Sequence, residues 1–331
     1  MEPIANPVDF FFISNKVIAL LQPAALIMVE GDVWPQRLFH CKGSNIPTAI
    51  ITARLSPRSE GRLKCFRWIT APFFNTIDLI ALPSEKDRER WVSIGIDPMH
   101  LNVTGNIKYD QQAVSSVKPP ADVDAVFSSL GWKREDPVLL AGSTANIEEE
   151  KIILEAWLQL RQRFPHLRLI MAPRHVERRD EVRILFHQFN VKVALRSEQE
   201  KTAGDCEALI LDTTGELNSW YTVATVVFIG KSLGVGTAHG GHNPVEPLVL
   251  GKPVLVGPSM ENFEPLISEL LAAQGVLLVK NREEIAQTTE QLLLHPDRTS
   301  TLVQHGLRAL EQHQGSTDRT CVLIEELLHP F

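Results

Sequence analysis

Short apolar runs recur along the chain, separated by stretches whose apolar residues are spaced for helices. Ala25-Leu26-Ile27-Met28-Val29, Thr48-Ala49-Ile50-Ile51, Leu79-Ile80-Ala81-Leu82 and Leu101-Asn102-Val103-Thr104 read as buried strands, with a helix around Glu85 to Ile94. A polar segment from Asp110 to Asp136, carrying Pro119-Pro120, reads as a linker with a leading helix. Beyond it the alternation is fuller. Strands are expected at Val138 to Ala141, Leu167 to Met171, Val191 to Leu195, Ala208 to Leu211, Val226 to Ile229 and Pro253 to Val256. Helices are expected from Glu148 to Phe164, Glu177 to Phe189, Ile285 to Leu294 and Ser300 to Leu328. Strand–helix alternation of this kind predicts α/β layering with parallel strands, and the second block is a complete doubly wound domain. The expected division is residues 1–115 and 116–331, with the last helix packing back on the first domain. About four strands against six or seven makes the first domain look incomplete.

Composition narrows the classes. At 331 residues the chain is long for a single core. A net charge of -7 disfavours a nucleic-acid partner, which needs a basic footprint. The four cysteines, Cys41, Cys65, Cys206 and Cys321, show no zinc or disulfide spacing and read as reduced thiols. No apolar run reaches the ~18 to 20 residues of a membrane span, and the N-terminus lacks signal-peptide character. A cytoplasmic chain with peripheral membrane contact at most is the expectation.

Ligands of doubly wound sheets sit beyond the carboxyl ends of the strands, so the polar residues there carry the candidate chemistry. Glu30-Gly31-Asp32-Val33-Trp34-Pro35 places two acids beyond the first strand: a charge for a cationic centre, a metal pair or a solvated turn. Ser143-Thr144 precedes the helix that opens with Glu148-Glu149-Glu150, and Thr144 could serve as its N-cap. Pro173-Arg174-His175 offers a guanidinium that could grip a phosphate bidentately, or a surface charge. Asp212-Thr213-Thr214-Gly215-Glu216-Leu217 reads as a helix start at Thr214 and Gly215, where free N–H groups favour an anion. The strongest signal is Gly230-Lys231-Ser232-Leu233 followed by Gly240-Gly241-His242-Asn243-Pro244-Val245-Glu246-Pro247. Its glycines admit a ligand close to the backbone, Pro244 suits a first helical turn, and Glu246 is placed to accept from two ribose hydroxyls. Lys108 closes the first block and by itself reads as a surface lysine.

Taken together, these segments resemble the 3-deoxy-D-manno-octulosonic acid (Kdo) transferase family. The matching stretches are VEGDVWP at Glu30, TARLSPRS at Arg54, GNIKYD at Lys108, GSTANIEEE at Ser143, APRHVER at Arg174, LDTTGEL at Gly215, GGHNPVEP at Glu246 and GPSMENF at Asn262. They span nearly all of the chain. The resemblance implies a GT-B fold, two Rossmann-like doubly wound domains facing a cleft, with the N-terminal domain on the acceptor side. It implies CMP-Kdo as donor, lipid IVA as acceptor, anomeric inversion, no cofactor and no metal, at the cytoplasmic face of the bacterial inner membrane. Contacts to CMP would fall on Pro173, Arg174, Thr214, Gly215, Glu216, Asn243, Pro244, Val245 and Glu246. Transition-state stabilisers would be Glu30 and Lys108, and further donor or acceptor contacts Arg54, Ser143, Thr144, Ser232 and Asn262.

Three departures stand beside the match. The second acid after the first strand is Asp32 where the family has glutamate. The donor loop reads Gly230-Lys231-Ser232-Leu233 and runs on through Gly234 to His239. The family's membrane-anchoring helix and the serine-valine-glycine-glutamate stretch with its general base have no counterpart, so the expectation is an N-terminally shortened member. The alternatives are a catalytically impaired CMP-sugar-binding fragment and another GT-B nucleotide-sugar enzyme.

Overall fold

A computed structural model describes residues 9–30, 33–55, 57–110, 117–201 and 204–329. The chain forms two compact units, Met1–Gln112 with Gln312–Phe331, and Ala113–Glu311. The first carries a parallel sheet of β1 (Leu26–Val29), β2 (Thr48–Ile51), β3 (Leu79–Leu82) and β4 (Leu101–Val103), in that spatial order. Aliphatic runs without alternation suit strands covered on both faces, and β3 is buried at every position. Ile50, Ile77, Ile80, Leu82, Trp91 and Ile94 form the centre of its core. The edge strand β1 differs, with Ile27 and Val29 exposed.

The expected helix from Ser300 to Leu328 is two helices, Pro296–Leu310 and Ser316–Leu328. Gly315 breaks it by adopting φ +70°, a left-handed conformation cheap only for glycine. The second helix belongs to the first unit. Its free N-terminal donors are satisfied by Asp110, whose carboxylate accepts from the N–H groups of Gly315 (3.2 Å) and Thr317 (2.7 Å). Arg319 donates from Nε to the Thr104 carbonyl (3.0 Å), tying the helix to the end of β4.

The second unit is built on seven parallel strands: β5 (Val138–Thr144), β6 (Arg168–Pro173), β7 (Val193–Leu195), β8 (Ala208–Ile210), β9 (Val226–Ile229), β10 (Val254–Val256) and β11 (Leu277–Leu278). Their order is β11-β10-β9-β5-β6-β8-β7. The chain therefore builds outward from β5 on one side, then returns to its other side at β9. The reversal falls between β5 and β9, the position at which doubly wound sheets hold a ligand beyond the carboxyl ends of their strands. Helix Ile147–Arg161 covers this part of the sheet. It begins at Asn146, whose side chain accepts from the Glu149 N–H (2.9 Å), and it buries Ile153, Leu154, Ala156, Trp157 and Leu160. The Trp157 indole N–H is satisfied by the Leu167 carbonyl (3.0 Å).

Candidate functional site

At the reversal the backbones of β5 and β9 meet through glycines. A Cβ on Gly230 would strike the Ser143 carbonyl, and one on Gly142 would strike the Tyr221 ring. Ser143 itself bulges out of β5 with φ +58°. Thr144 is not the N-cap of the following helix; Asn146 is. The buried Thr144 hydroxyl donates instead to Glu150 (2.7 Å), while its carbonyl accepts the Arg174 N–H (2.8 Å). Glu150 is fully buried and also receives two bonds from Arg178, at 2.9 and 2.7 Å. Burial pushes its carboxyl up, against the pull of Arg178 and Thr144. One carboxylate thus fixes the ends of both β5 and β6, leaving Pro173 buried and Arg174 exposed beside it.

The neighbouring Glu149 anchors the end of β9. It accepts from the N–H groups of Lys231 (2.7 Å), Ser232 (3.0 Å) and Leu233 (3.2 Å). Ser232 is a scaffold residue, not an open contact for a ligand. Its buried hydroxyl donates to the Ile229 carbonyl and accepts the Gly257 N–H (2.8 Å). Asn262, exposed, packs its amide over Gly240, which has φ +97° and no room for a Cβ.

The turn after β8 also differs from the sequence expectation. Helix Leu217–Tyr221 begins beyond Glu216, so Thr214 and Gly215 lie in an exposed turn, with Gly215 at φ +86°. The Glu216 carboxylate is engaged by Arg196 from Nε (3.0 Å) and Nη2 (3.1 Å) and by the Thr213 hydroxyl (2.7 Å). Burial opposes its ionisation, yet the Arg196 bonds hold the carboxyl below the usual range. This turn presents Thr214 and Gly215 outward.

After the two glycines, the Asn243 side chain accepts the Val245 N–H (3.0 Å) and donates to Glu246 (3.0 Å). Pro244, at the N-cap, and Val245 are buried; Glu246 is half-buried at the start of helix Val245–Val249. Burial pushes the Glu246 carboxyl up, and the Asn243 amide and the Arg174 charge pull it back. The Glu246 charge is felt in turn by the buried Tyr221, whose phenol is pushed up by burial and then by that charge. Arg174, Glu246 and Tyr221, the residue ending the helix after the Gly215 turn, therefore share one neighbourhood.

His242, between the glycines and Asn243, belongs to it too. Its pKa is lowered to about 4, by burial first and then by the charges of Arg174, Lys231 and His175. An imidazole depressed in the folded state leaves the unfolded chain binding the extra proton between about pH 4 and its ordinary 6.5. Stability is complete above that window and falls as pH drops through it. Discounted for partial exposure, the loss is about 1 to 2 kcal/mol. Thermal unfolding of His242→Asn between pH 7 and pH 4 should show a flatter profile than the parent; parallel profiles would contradict this origin.

In the first unit, Glu30, Arg54 and Lys108 follow β1, β2 and β4 on one edge of the four-stranded sheet. Glu30 has φ +66° and pairs with Lys108. Both side chains are about half exposed (51% and 54%), so the pair adds less than about 1 kcal/mol to stability. The Lys108 N–H is held by the Asn106 side chain (3.0 Å). Asp32 lies outside the described residues. Among the described residues no cluster of His, Cys, Asp or Glu is placed to hold a metal ion, and no helix is long and apolar enough to cross a membrane.

The profile of the 3-deoxy-D-manno-octulosonic-acid transferase (kdotransferase) family matches residues 2–111. A 3-deoxy-D-manno-octulosonic acid transferase of Haemophilus influenzae is 32% identical over 326 residues, covering 98% of this chain and 74% of that protein. The chain belongs to the Kdo transferase family. It is a glycosyltransferase, and its fold agrees. The C-terminal CMP-Kdo binding domain of WaaA from Acinetobacter baumannii aligns over 57% of this chain and 96% of its own length, with 29% identity and a TM-score of 0.52. UDP-GlcNAc 2-epimerase from Neisseria meningitidis, 17% identical, covers 94% of this chain and 78% of that one with a TM-score of 0.62, a likeness of GT-B fold alone.

Proposed function

We propose that this Kdo transferase takes Kdo from CMP-Kdo and places it on lipid IVA with inversion, in lipopolysaccharide synthesis. The donor sits at the carboxyl ends of β5, β6, β8 and β9. The observation carrying this reading is the half-buried Glu246, steadied by Asn243 and within the field of the exposed Arg174. Glu246 accepts from two ribose hydroxyls, and Arg174 grips the phosphate. The turn of Thr214, Gly215 and Glu216 supplies N–H donors, while Pro173, Pro244 and Val245 form walls. Ser143 and Asn262 border the same site.

In the reaction the anomeric carbon–oxygen bond to CMP breaks, and the electron pair leaves with the phosphate. The acceptor oxygen attacks from the opposite face and its proton passes to a base outside this set of residues. Arg174 meets the charge gathering on the phosphate, a preorganised electrostatic stabilisation. Lys108 offsets negative charge, and Glu30 favours the oxocarbenium-like sugar or orients Lys108. Arg54 is assigned to the acceptor side. Exposed Phe12, Leu20 and Trp68, together with Lys16, Lys42, Arg62, Lys64 and Arg67, are suited to meet an anionic membrane face.

The test is thermal unfolding with CMP or UDP added at millimolar concentration. CMP should raise the midpoint and UDP should not; a response to UDP alone would overturn the donor assignment.

A further inference from the structure

Lys231 holds a backbone conformation that glycine would adopt freely. It follows Gly230 directly at the end of β9, with φ +62°. A residue with a Cβ is strained in that conformation. The backbone has no freedom to relax, because the Lys231 N–H is held by Glu149 (2.7 Å) and its carbonyl by the Gly241 N–H (3.0 Å). Its side chain makes no ion pair among the described residues. The backbone is thus held by Glu149 and Gly241, while among the described residues no carboxylate pairs with the side chain.

The Gly241 hydrogen bond places His242 next in line. The His242 Nε2 is out of solvent and has no hydrogen-bond partner among the described residues. A buried ring nitrogen without a partner is unfavourable. Arg174, Lys231 and His175 all press on this imidazole electrostatically. Turns from three places in the chain, after β6, after β9 and after Gly241, thus bring basic and hydrogen-bonding groups together where the strand order reverses. Nearby Glu246 is occupied by Asn243.

We propose that Lys231 and His242 are donor-binding residues that, with Arg174, enclose the phosphate of the nucleotide. The proposal rests on the CMP-sugar reading given above and adds to it two side chains that bind the leaving group. The lysine ammonium and the Arg174 guanidinium meet the phosphate charge, and a small shift of the His242 ring brings its buried Nε2, in the tautomer protonated there, to a phosphate oxygen.

The experiment compares Lys231→Gly and His242→Ala with the parent chain, using CMP and the phosphate-free nucleoside cytidine as probes in ligand-detected NMR titrations. Glycine suits the backbone at this position, so Lys231→Gly should unfold no earlier than the parent. Its CMP affinity should fall about tenfold, the loss of one charge-assisted hydrogen bond, while cytidine binds as before. His242→Ala should weaken CMP several-fold, again sparing cytidine. Unchanged CMP affinity in Lys231→Gly, or an equal loss for both probes, overturns the phosphate assignment alone. A parent chain that binds neither probe overturns the donor reading, and this proposal with it.

Discussion

Replacing Glu246 with alanine should weaken CMP binding by about a hundredfold or more while leaving the fold intact. Two hydrogen bonds to an ionised acceptor contribute together about 3 kcal/mol, which corresponds to that factor. The carboxylate is already disfavoured in the free protein, since burial pushes its pKa up despite Asn243 and Arg174. A raised carboxyl pKa means that ionised Glu246 subtracts from stability at neutral pH, so its removal should not lower the unfolding midpoint. Glu246→Gln keeps one acceptor oxygen and should fall between the two. Calorimetric titration with CMP decides the matter: affinity within threefold of the parent would remove Glu246 from the ribose, whatever else the site binds.

The largest expected effect on stability lies one layer beneath that surface. Glu150→Ala should cost about 3 kcal/mol, because it leaves the largely buried Arg178 guanidinium with the half-exposed Glu181 in place of its fully buried partner. Arg178 is 18% exposed and its partner not at all. Thr144 loses its acceptor as well. Replacing the pair together, Glu150→Leu with Arg178→Met, should restore much of the loss, since no buried charge is then left behind and Glu181, which loses Arg178, is half exposed. Urea denaturation of the two single variants and the double would measure this. A cost below about 1 kcal/mol for Glu150→Ala would mean that the pair is solvated in solution.

Most of the strand layout was readable because parallel strands covered on both faces leave unbroken aliphatic runs, as at β3 and β9. Strand β11 was missed: its two residues, Leu277 and Leu278, are too short to leave a pattern. The break in the terminal helix leaves no sequence pattern, because Gly315 sits in a polar stretch that a helix could also contain and only its positive φ ends the run. Among the residues proposed for the donor, Arg174 stands out by its place just after a strand, and Asn243 and Glu246 by the glycines and proline around them. Glu149 and Glu150 do not stand out. Glutamates in the first turn of a helix normally report a favourable dipole and nothing more. Their burial arises from the loops folded over them, which no local pattern encodes. For the same reason the hydroxyls of Thr144 and Ser232 read as available groups, although in the fold they are already bonded.

The return of helix Ser316–Leu328 to the first unit makes residues 113–311 an insertion within it, both of whose connections lead back to the same host. Tension applied between β1 and that helix would therefore load the host before it reached the guest. Once the grip of Asp110 on the first turn of that helix gave way, the peeling of the C-terminal segment would be the opening event.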